Sequence, residues 1–403
     1  MKQSIAAMLS PYRDFLRLPD IPLMIATAWL SRLPVGMNAL AILLFMRETI
    51  GNFKDAGSIV GAFFVAMAVA APVLGRLVDR IGPRTPLIVT GTLHPLLLIA
   101  LYAAALNGAS TPLLMAIAAA AGFCAPPVTI LTRTTWRHRF TDDQNRKMAY
   151  SIDSIMIEIN FTVGPLLVAA VVAGTNARAA LAIVIALSAA AVLIFFASPF
   201  LKYWQREAPV ERHLMGPLTD SKLVALFSLT FGLTFCFGLM EVGYPAYATS
   251  LGWVAFGGIL LALNSIGSAV GGFIYGALHL KNSFERQFTI SLAIMSIPLF
   301  LHGIVDQNAL FAMVAFLAGI CIAPALTAQT LLITQLAPTK YATEAFTWSS
   351  TFIITGIGIG MASGGAIAET YHVKAPFILA GGVISLMAGL SLMMKARANS
   401  TQT

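Results

Sequence analysis

Charge is what this sequence has least of. Of 403 residues only 10% are Asp, Glu, Lys or Arg, while 58% are hydrophobic. A soluble globular domain carries about 25% charged residues, so a water-facing surface cannot be built from this chain. That excludes a soluble enzyme, a disordered segment and a secreted scaffold. Cysteine is also scarce. Cys124, Cys236 and Cys321 all fall inside apolar runs, and three such thiols give neither a disulfide framework nor metal-ligand spacing. The spans contain no H-E-x-x-H pair and no Walker loop, so we expect no metal, no cofactor, no ATP-driven chemistry and no enzyme activity. The N-terminal stretch has no apolar core followed by a small-residue cleavage site, so no cleaved signal peptide is expected.

What is abundant is the long apolar run. About 20 apolar residues cross the hydrocarbon as a helix, and a barrel would instead show short alternating segments. Runs bounded by charge, Pro/Gly or polar clusters number twelve: 19–46, 55–75, 85–107, 111–132, 148–173, 179–200, 223–248, 252–279, 286–304, 308–333, 343–368 and 375–395. We refer to these as spans 1 to 12. The shortest turns separate spans 5 and 6 and spans 11 and 12. The expected fold class is therefore an all-α membrane protein with twelve transmembrane helices.

Lys and Arg set the expected orientation. Twenty of the 25 fall on the side of the N-terminus and the even-to-odd connections, and four (Arg47, Lys54, Arg178, Lys374) fall on the other. Arg32 lies within span 1. This positive-inside bias puts both termini in the cytoplasm. It also accounts for the net charge of +8 without nucleic acid as a partner; the expected partners are the lipid bilayer and a small-molecule substrate.

The chain repeats itself. Ala121-Gly122-Phe123-Cys124 matches Ala318-Gly319-Ile320-Cys321, Pro127 falls on Pro324, and Val73 and Gly75 fall on Val270 and Gly272. After a slip of one residue Ala149-Tyr150-Ser151 matches Ala345-Phe346-Thr347, and Gly164 matches Gly360. An offset of about half the chain, with six spans per half, preserves orientation and makes this a parallel repeat. The polar stretch between the repeats, with Pro209 and Pro217, reads as a linker. The expected organisation is a six-helix bundle over residues 1–201, a cytoplasmic linker over 202–222 and a second six-helix bundle over 223–403.

The connection between spans 2 and 3 reads Gly75-Arg76-Leu77-Val78-Asp79-Arg80-Ile81-Gly82-Pro83-Arg84. It resembles the loop signature G-x-L-x-D-R-x-G-R-[RK] of the major facilitator superfamily, with Pro83 in place of one basic residue. The resemblance extends to the twelve spans, the two halves and the central linker. It implies two pseudo-symmetric six-helix bundles that work by alternating access, with a cavity lined by spans 1, 4, 7 and 10. It also implies a cytoplasmic gate at Gly75, Asp79, Arg80, Gly82 and Arg84, in which Asp79 docks at the start of span 11 near Thr343. Arg80 and Arg84 could pair with Asp142 or Asp143, and Arg133 belongs to the same cytoplasmic group. Gly164-Pro165 is similar to the core of an antiporter motif, although Val168-Ala169 stands where glycine is expected, and Ala118 stands where many proton-coupled exporters carry arginine. The stretches 32–37, 133–136 and 149–158 resemble a bacterial drug-efflux-like subgroup. The expected function is proton-coupled efflux of a small organic molecule across a bacterial inner membrane, with a monomer as the default state.

Ions inside the spans are functional candidates by default. Arg32 lies about mid-depth, where an arginine costs about 2.5–3.5 kcal/mol, and must face a cavity or a partner. Pro34 and Gly36 beyond it weaken the helix and could free carbonyls to line a site. In span 5, Asp153 and Glu158 differ by about 7.5 Å in depth and point about 140° apart. The deeper Glu158 is expected to pair with Arg32, and Asp153 to lie near Arg133. Both carboxylates are proton-coupling candidates, against a static salt bridge or headgroup snorkelling. A lone mid-depth arginine also suits uptake of an organic anion. The cavity candidates are Arg32, Asn38, Thr129, Thr132, Glu241, Gln329 and Thr330. Glu241, followed by Tyr244-Pro245-Ala246-Tyr247, reads either as part of an interfacial aromatic belt or as an outer gate. His94 reads as structural. A non-transporting membrane sensor is the remote alternative.

Overall fold

The computed structural model describes residues 13–205, 216–278, 280–338 and 342–400. Linker residues 206–215, and with them Arg206, Pro209 and Arg212, lie outside the described residues, as does Lys340. Among the described residues twelve helices are long and apolar enough to cross a membrane, and they fall where the apolar runs place them. Span 1 is Ile21–Ile50, span 2 Phe53–Ile81, span 3 Arg84–Leu106, span 5 Asp143–Gly174 and span 6 Ala177–Phe196. Span 7 is Ser221–Ser250, span 8 Val254–Ala277, span 9 Phe284–Ile304, span 11 Ala342–Thr370 and span 12 Ala375–Ser400.

The helices overrun the apolar segments because charge ends burial but does not end a helix. What ends or starts one is backbone chemistry. Gly51 and Gly82 terminate spans 1 and 2 at φ +97° and +86°, a region open to glycine at little cost. Side-chain caps begin the next helices. Asn52 accepts from the Asp55 amide at 2.7 Å, Asp142 from that of Asn145 at 2.8 Å and Asn176 from that of Ala179 at 2.9 Å. Each satisfies an amide that the helix itself leaves free. The short turn between spans 5 and 6 works because Asn176 caps at once.

Spans 4 and 10 are each broken. Span 4 runs Thr111–Phe123 and resumes at Val128–Arg139; span 10 runs Asn308–Ile320 and resumes at Ile322–Leu336. Pro126 and Pro127 carry no N–H and cannot continue the ladder. The breaks fall at Cys124 and Cys321, the matched positions of the repeat. By contrast Pro34 and Pro245 leave spans 1 and 7 continuous; Pro34, having no N–H, leaves the Leu30 carbonyl one turn back without its helical donor. The signature stretch 75–81 is likewise the last part of span 2 rather than a loop.

Spans 1 and 7 are the most buried. Span 1 packs on spans 5 and 6, and span 7 on spans 11 and 12. Across the two halves, span 2 packs on span 11 and span 5 on span 8.

One ion pair ties the turn after span 9 to the start of span 12. The Lys374 ammonium donates to the Val305 carbonyl at 2.7 Å and to Asp306 at 2.5 Å. The hydrogen bond first, and then the charge, hold the Asp306 carboxyl below the ordinary carboxylate range. A depressed carboxyl adds stability that is complete above its unfolded pKa of about 3.9 and is lost as pH falls through the lower folded value. The unfolding temperature of the wild type is therefore expected to decline in that acidic window more steeply than that of Lys374→Met. Parallel declines in the two proteins would remove the pair from this role.

Candidate functional site

The site is built where spans 1, 4 and 5 meet. Two glycines bring spans 1 and 5 together. A methyl group at Gly164 would lie 2.6 Å from the Gly36 carbonyl carbon, and one at Gly36 would lie 2.9 Å from that of Asn160. Neither position has room for a larger residue. One turn before Gly36, the Arg32 side chain is buried with 4% exposure. Its Nη1 donates to Asp153 Oδ1 at 2.6 Å. The second oxygen of Asp153 accepts from Arg133 Nε at 3.3 Å. Asp153 is 1% exposed and Arg133 54% exposed, so a sealed carboxylate bridges one sealed and one half-open guanidinium.

This corrects the expected pairing of Arg32 with Glu158. Helical side chains lean toward the N-terminus of their helix. Arg32 therefore reaches back along span 1 to the level of Asp153 and away from the deeper Glu158. Glu158 is half-buried, and among the described residues its carboxylate has no ion pair. Asp153 and Arg133 do meet, as their spacing predicts.

Several polar atoms around this seam have no protein partner. They are Nε and Nη2 of Arg32, Nε1 of Trp29, Oδ1 of Asn160 and Oδ1 of Asn38. Asn160 donates to the Trp29 carbonyl at 3.5 Å. It stands seven residues after Asp153 and so on the same helix face, a spacing that would have singled it out from the sequence. Trp29 gives no comparable signal.

The remaining cavity candidates are dispersed. Thr132 is buried and spends its hydroxyl on the Val128 carbonyl. Thr129 and Thr330 are exposed, and Thr330 bonds the Leu326 carbonyl. Gln329 is buried and donates to Ser349 at 2.8 Å. Glu241 is half-buried. Tyr244 and Tyr247 are buried, which rules out an aromatic belt there. Tyr247 stacks on Phe311 with centroids 3.9 Å apart and bonds Asn308. His94 pairs through Nδ1 with the Ala121 carbonyl, as expected of a structural histidine.

Of the gate positions, Asp79, Arg80 and Arg84 are exposed on the basic face. The side chains of Thr343 and Asp143, their expected partners, lie outside the described residues. Asp142 is engaged by Asn145.

The two halves meet most closely near the opposite, non-basic face. A methyl group at Gly57 would lie 2.6 Å from the Met361 carbonyl oxygen, and one at Gly61 2.5 Å from that of Gly358. One at Gly258 of span 8 would lie 2.7 Å from the Pro165 carbonyl oxygen of span 5. The Glu369 carboxylate at the end of span 11 accepts from the Phe53 amide that opens span 2, at 2.9 Å. Nothing in the sequence marks Glu369 for that role. Toward the basic face, among the described residues a methyl group at Gly75 would meet only Ile130 of its own half, and one at Gly276 would meet no neighbouring atom within 4 Å.

Twelve membrane-spanning helices whose halves touch through spans 2 and 11 and spans 5 and 8 have relatives of known structure. The sequence profile of the Major Facilitator Superfamily matches residues 24–297 and 258–402. The chain belongs to the major facilitator superfamily. Solved structures of the same fold include the nucleoside transporter NupG. It is 15% identical, has a TM-score of 0.72, and is matched over 94% of this chain and 99% of its own. The human organic anion transporter MFSD10 (TETRAN) is 12% identical with a TM-score of 0.65, over 93% of this chain and all of its own. No curated protein sequence matches the chain. Membership of the superfamily makes this a multi-pass membrane transporter of small molecules.

Proposed function

We propose that this superfamily member is a proton-coupled secondary transporter that exports a small organic, drug-like molecule by alternating access. The observation that carries the proposal is the one-sided contact of the halves. Glycines 57, 61 and 258 bring backbones together near one face, whereas among the described residues no atom of the other half would lie within 4 Å of a methyl group at Gly75 or Gly276 near the basic face. With the basic face in the cytoplasm, this is a cavity closed outward. The bundles correspond to residues 1–201 and 223–403, joined by a cytoplasmic linker over 202–222, and the chain works as a monomer in a bacterial cytoplasmic membrane with both termini inside. Export follows the efflux-like stretches 32–37, 133–136 and 149–158. The cytoplasmic gate is built on Asp79, Arg80 and Arg84 of the basic face.

Glu158 is the proton carrier in this reading. Among the described side chains of span 5 it is the carboxylate without a cation, whereas Asp153 is held by two. In proteoliposomes Glu158→Gln is expected to lose flux driven by a pH gradient by about tenfold or more while keeping substrate exchange at equal pH. Unchanged gradient-driven flux in the variant would remove Glu158 from the role. Uptake of an organic anion is the second reading, favoured by the buried positive charge at Arg32. The sign of the pH gradient that drives accumulation distinguishes the two directions.

A further inference from the structure

The guanidinium of Arg32 has two usable edges, and Asp153 occupies only one nitrogen. Nη1 is bonded at 2.6 Å, while Nε and Nη2 are buried and have no protein partner. Those two nitrogens carry parallel N–H bonds, the fork that matches both oxygens of a planar anion. Cationic donors left unpaired in a protein interior are costly, and the two unpartnered acceptors of the seam, Oδ1 of Asn160 and Oδ1 of Asn38, bond neither of them. Trp29 Nε1, also unpartnered, is a donor as well. The charge balance points the same way. Arg32, Arg133 and Asp153 make two cations and one anion in direct contact, which leaves one positive charge uncompensated.

We infer that the Nε/Nη2 edge of Arg32 is the docking point for the carboxylate of the transported molecule, and that the substrates are organic monocarboxylates. The inference rests on the transporter reading above and deepens it by naming the substrate class. A carboxylate supplies two coplanar acceptors and one negative charge, which fits the fork and neutralises the centre. A phosphate monoester dianion overshoots the charge, and a neutral amide supplies one acceptor where two donors wait. Asp153 acts here as a positioning residue: it holds Nη1 and so turns the opposite edge toward the substrate. The edge is covered in this conformation, so the docking point is reached only as the bundles move.

The test uses the full-length protein in lipid nanodiscs, titrated with benzoate, cyclohexanecarboxylate and octanoate, with the neutral amide of each, and with phenyl phosphate. At least one carboxylate is expected to bind and raise the unfolding temperature, with its amide and phenyl phosphate far weaker. Arg32→Lys keeps the charge but loses the fork, and is expected to weaken carboxylate binding by about 10- to 100-fold. Arg133→Gln removes the surplus charge without touching the fork and is expected to weaken it less. If Arg32→Lys does not fold, splitting of the carboxylate stretch of bound, isotope-labelled benzoate reports the two-point contact in the wild type. Several results would overturn the inference: no carboxylate binds, phenyl phosphate or an amide binds as well, Arg32→Lys loses no more than Arg133→Gln, or the bound carboxylate shows the stretch of the free anion. Proton-driven flux of a neutral solute alongside absent carboxylate binding sinks the substrate class alone. Carboxylate binding without any movement across the membrane sinks the transporter reading instead.

Discussion

Asp153→Ala is expected to be the most damaging single substitution in the N-terminal bundle, at about 3–5 kcal/mol of stability. The cost does not come from losing an attraction. It comes from what is left behind. Arg32 is 4% exposed, and Gly36 and Gly164 lock spans 1 and 5 against each other one turn beyond it, so its guanidinium is sealed from water in this conformation. Arg133 is 54% exposed and can turn outward, so Arg133→Ala is expected to cost about 1 kcal/mol or less. Removing both buried ions together should behave differently again. Arg32→Met with Asp153→Leu replaces a sealed pair with apolar bulk and is expected to recover most of the lost stability while abolishing transport. Thermal unfolding of the four proteins in one detergent decides it. Equal losses in Asp153→Ala and Arg133→Ala would show that Arg32 is solvated and that the buried-triad account is wrong.

The fold was legible because it depends on quantities that survive without coordinates. Apolar run length, the sidedness of Lys and Arg, and a repeat at half the chain each follow from the bilayer as solvent, and lipid leaves few alternatives. The parts that were not legible depend on backbone direction. Run length does not show that residues 75–81 stay helical, since Arg76, Asp79 and Arg80 leave the hydrocarbon without breaking a hydrogen-bond ladder. Nor does the presence of proline show where a helix breaks: Pro126-Pro127 interrupts span 4, yet Pro34 and Pro245 are accommodated within continuous helices. The site was half legible. Arg32 and Asp153 stand out as ions in apolar surroundings, and Arg133 as a cation at the cytoplasmic end of span 4. Cα depth alone points Arg32 to the wrong partner, because a long side chain covers the turn before its own. Glu369 and the Phe53 amide were invisible, because a carboxylate capping a helix of the other half leaves no local pattern.

The second large effect separates motion from folding by using the same chemistry at two glycines. Gly61 of span 2 faces span 11 across the halves; a methyl group there would lie 2.5 Å from the Gly358 carbonyl oxygen and 2.9 Å from the Ala362 methyl. Gly238 of span 7 also faces span 11, but within one bundle, where a methyl group would lie 2.7 Å from the Met361 amide nitrogen and 2.8 Å from the Gly360 carbonyl carbon. Overpacking of either contact costs about 1–3 kcal/mol. At Gly61 the cost is relieved if the bundles part on that face, so Gly61→Ala is expected to shift the conformational ratio about 5- to 150-fold toward the state open there. At Gly238 no rocking motion relieves it, and the same cost appears as lost stability. Spin labels at Lys54 and Thr370, exposed near the ends of spans 2 and 11, measure the first effect in a background free of Cys124, Cys236 and Cys321. Gly61→Ala should add a longer distance and leave the unfolding temperature nearly unchanged. Gly238→Ala should lower the unfolding temperature and leave the distance alone. If Gly61→Ala instead unfolds early with the wild-type distance, then spans 2 and 11 form a fixed core, the bundles do not part along this seam, and alternating access must use another.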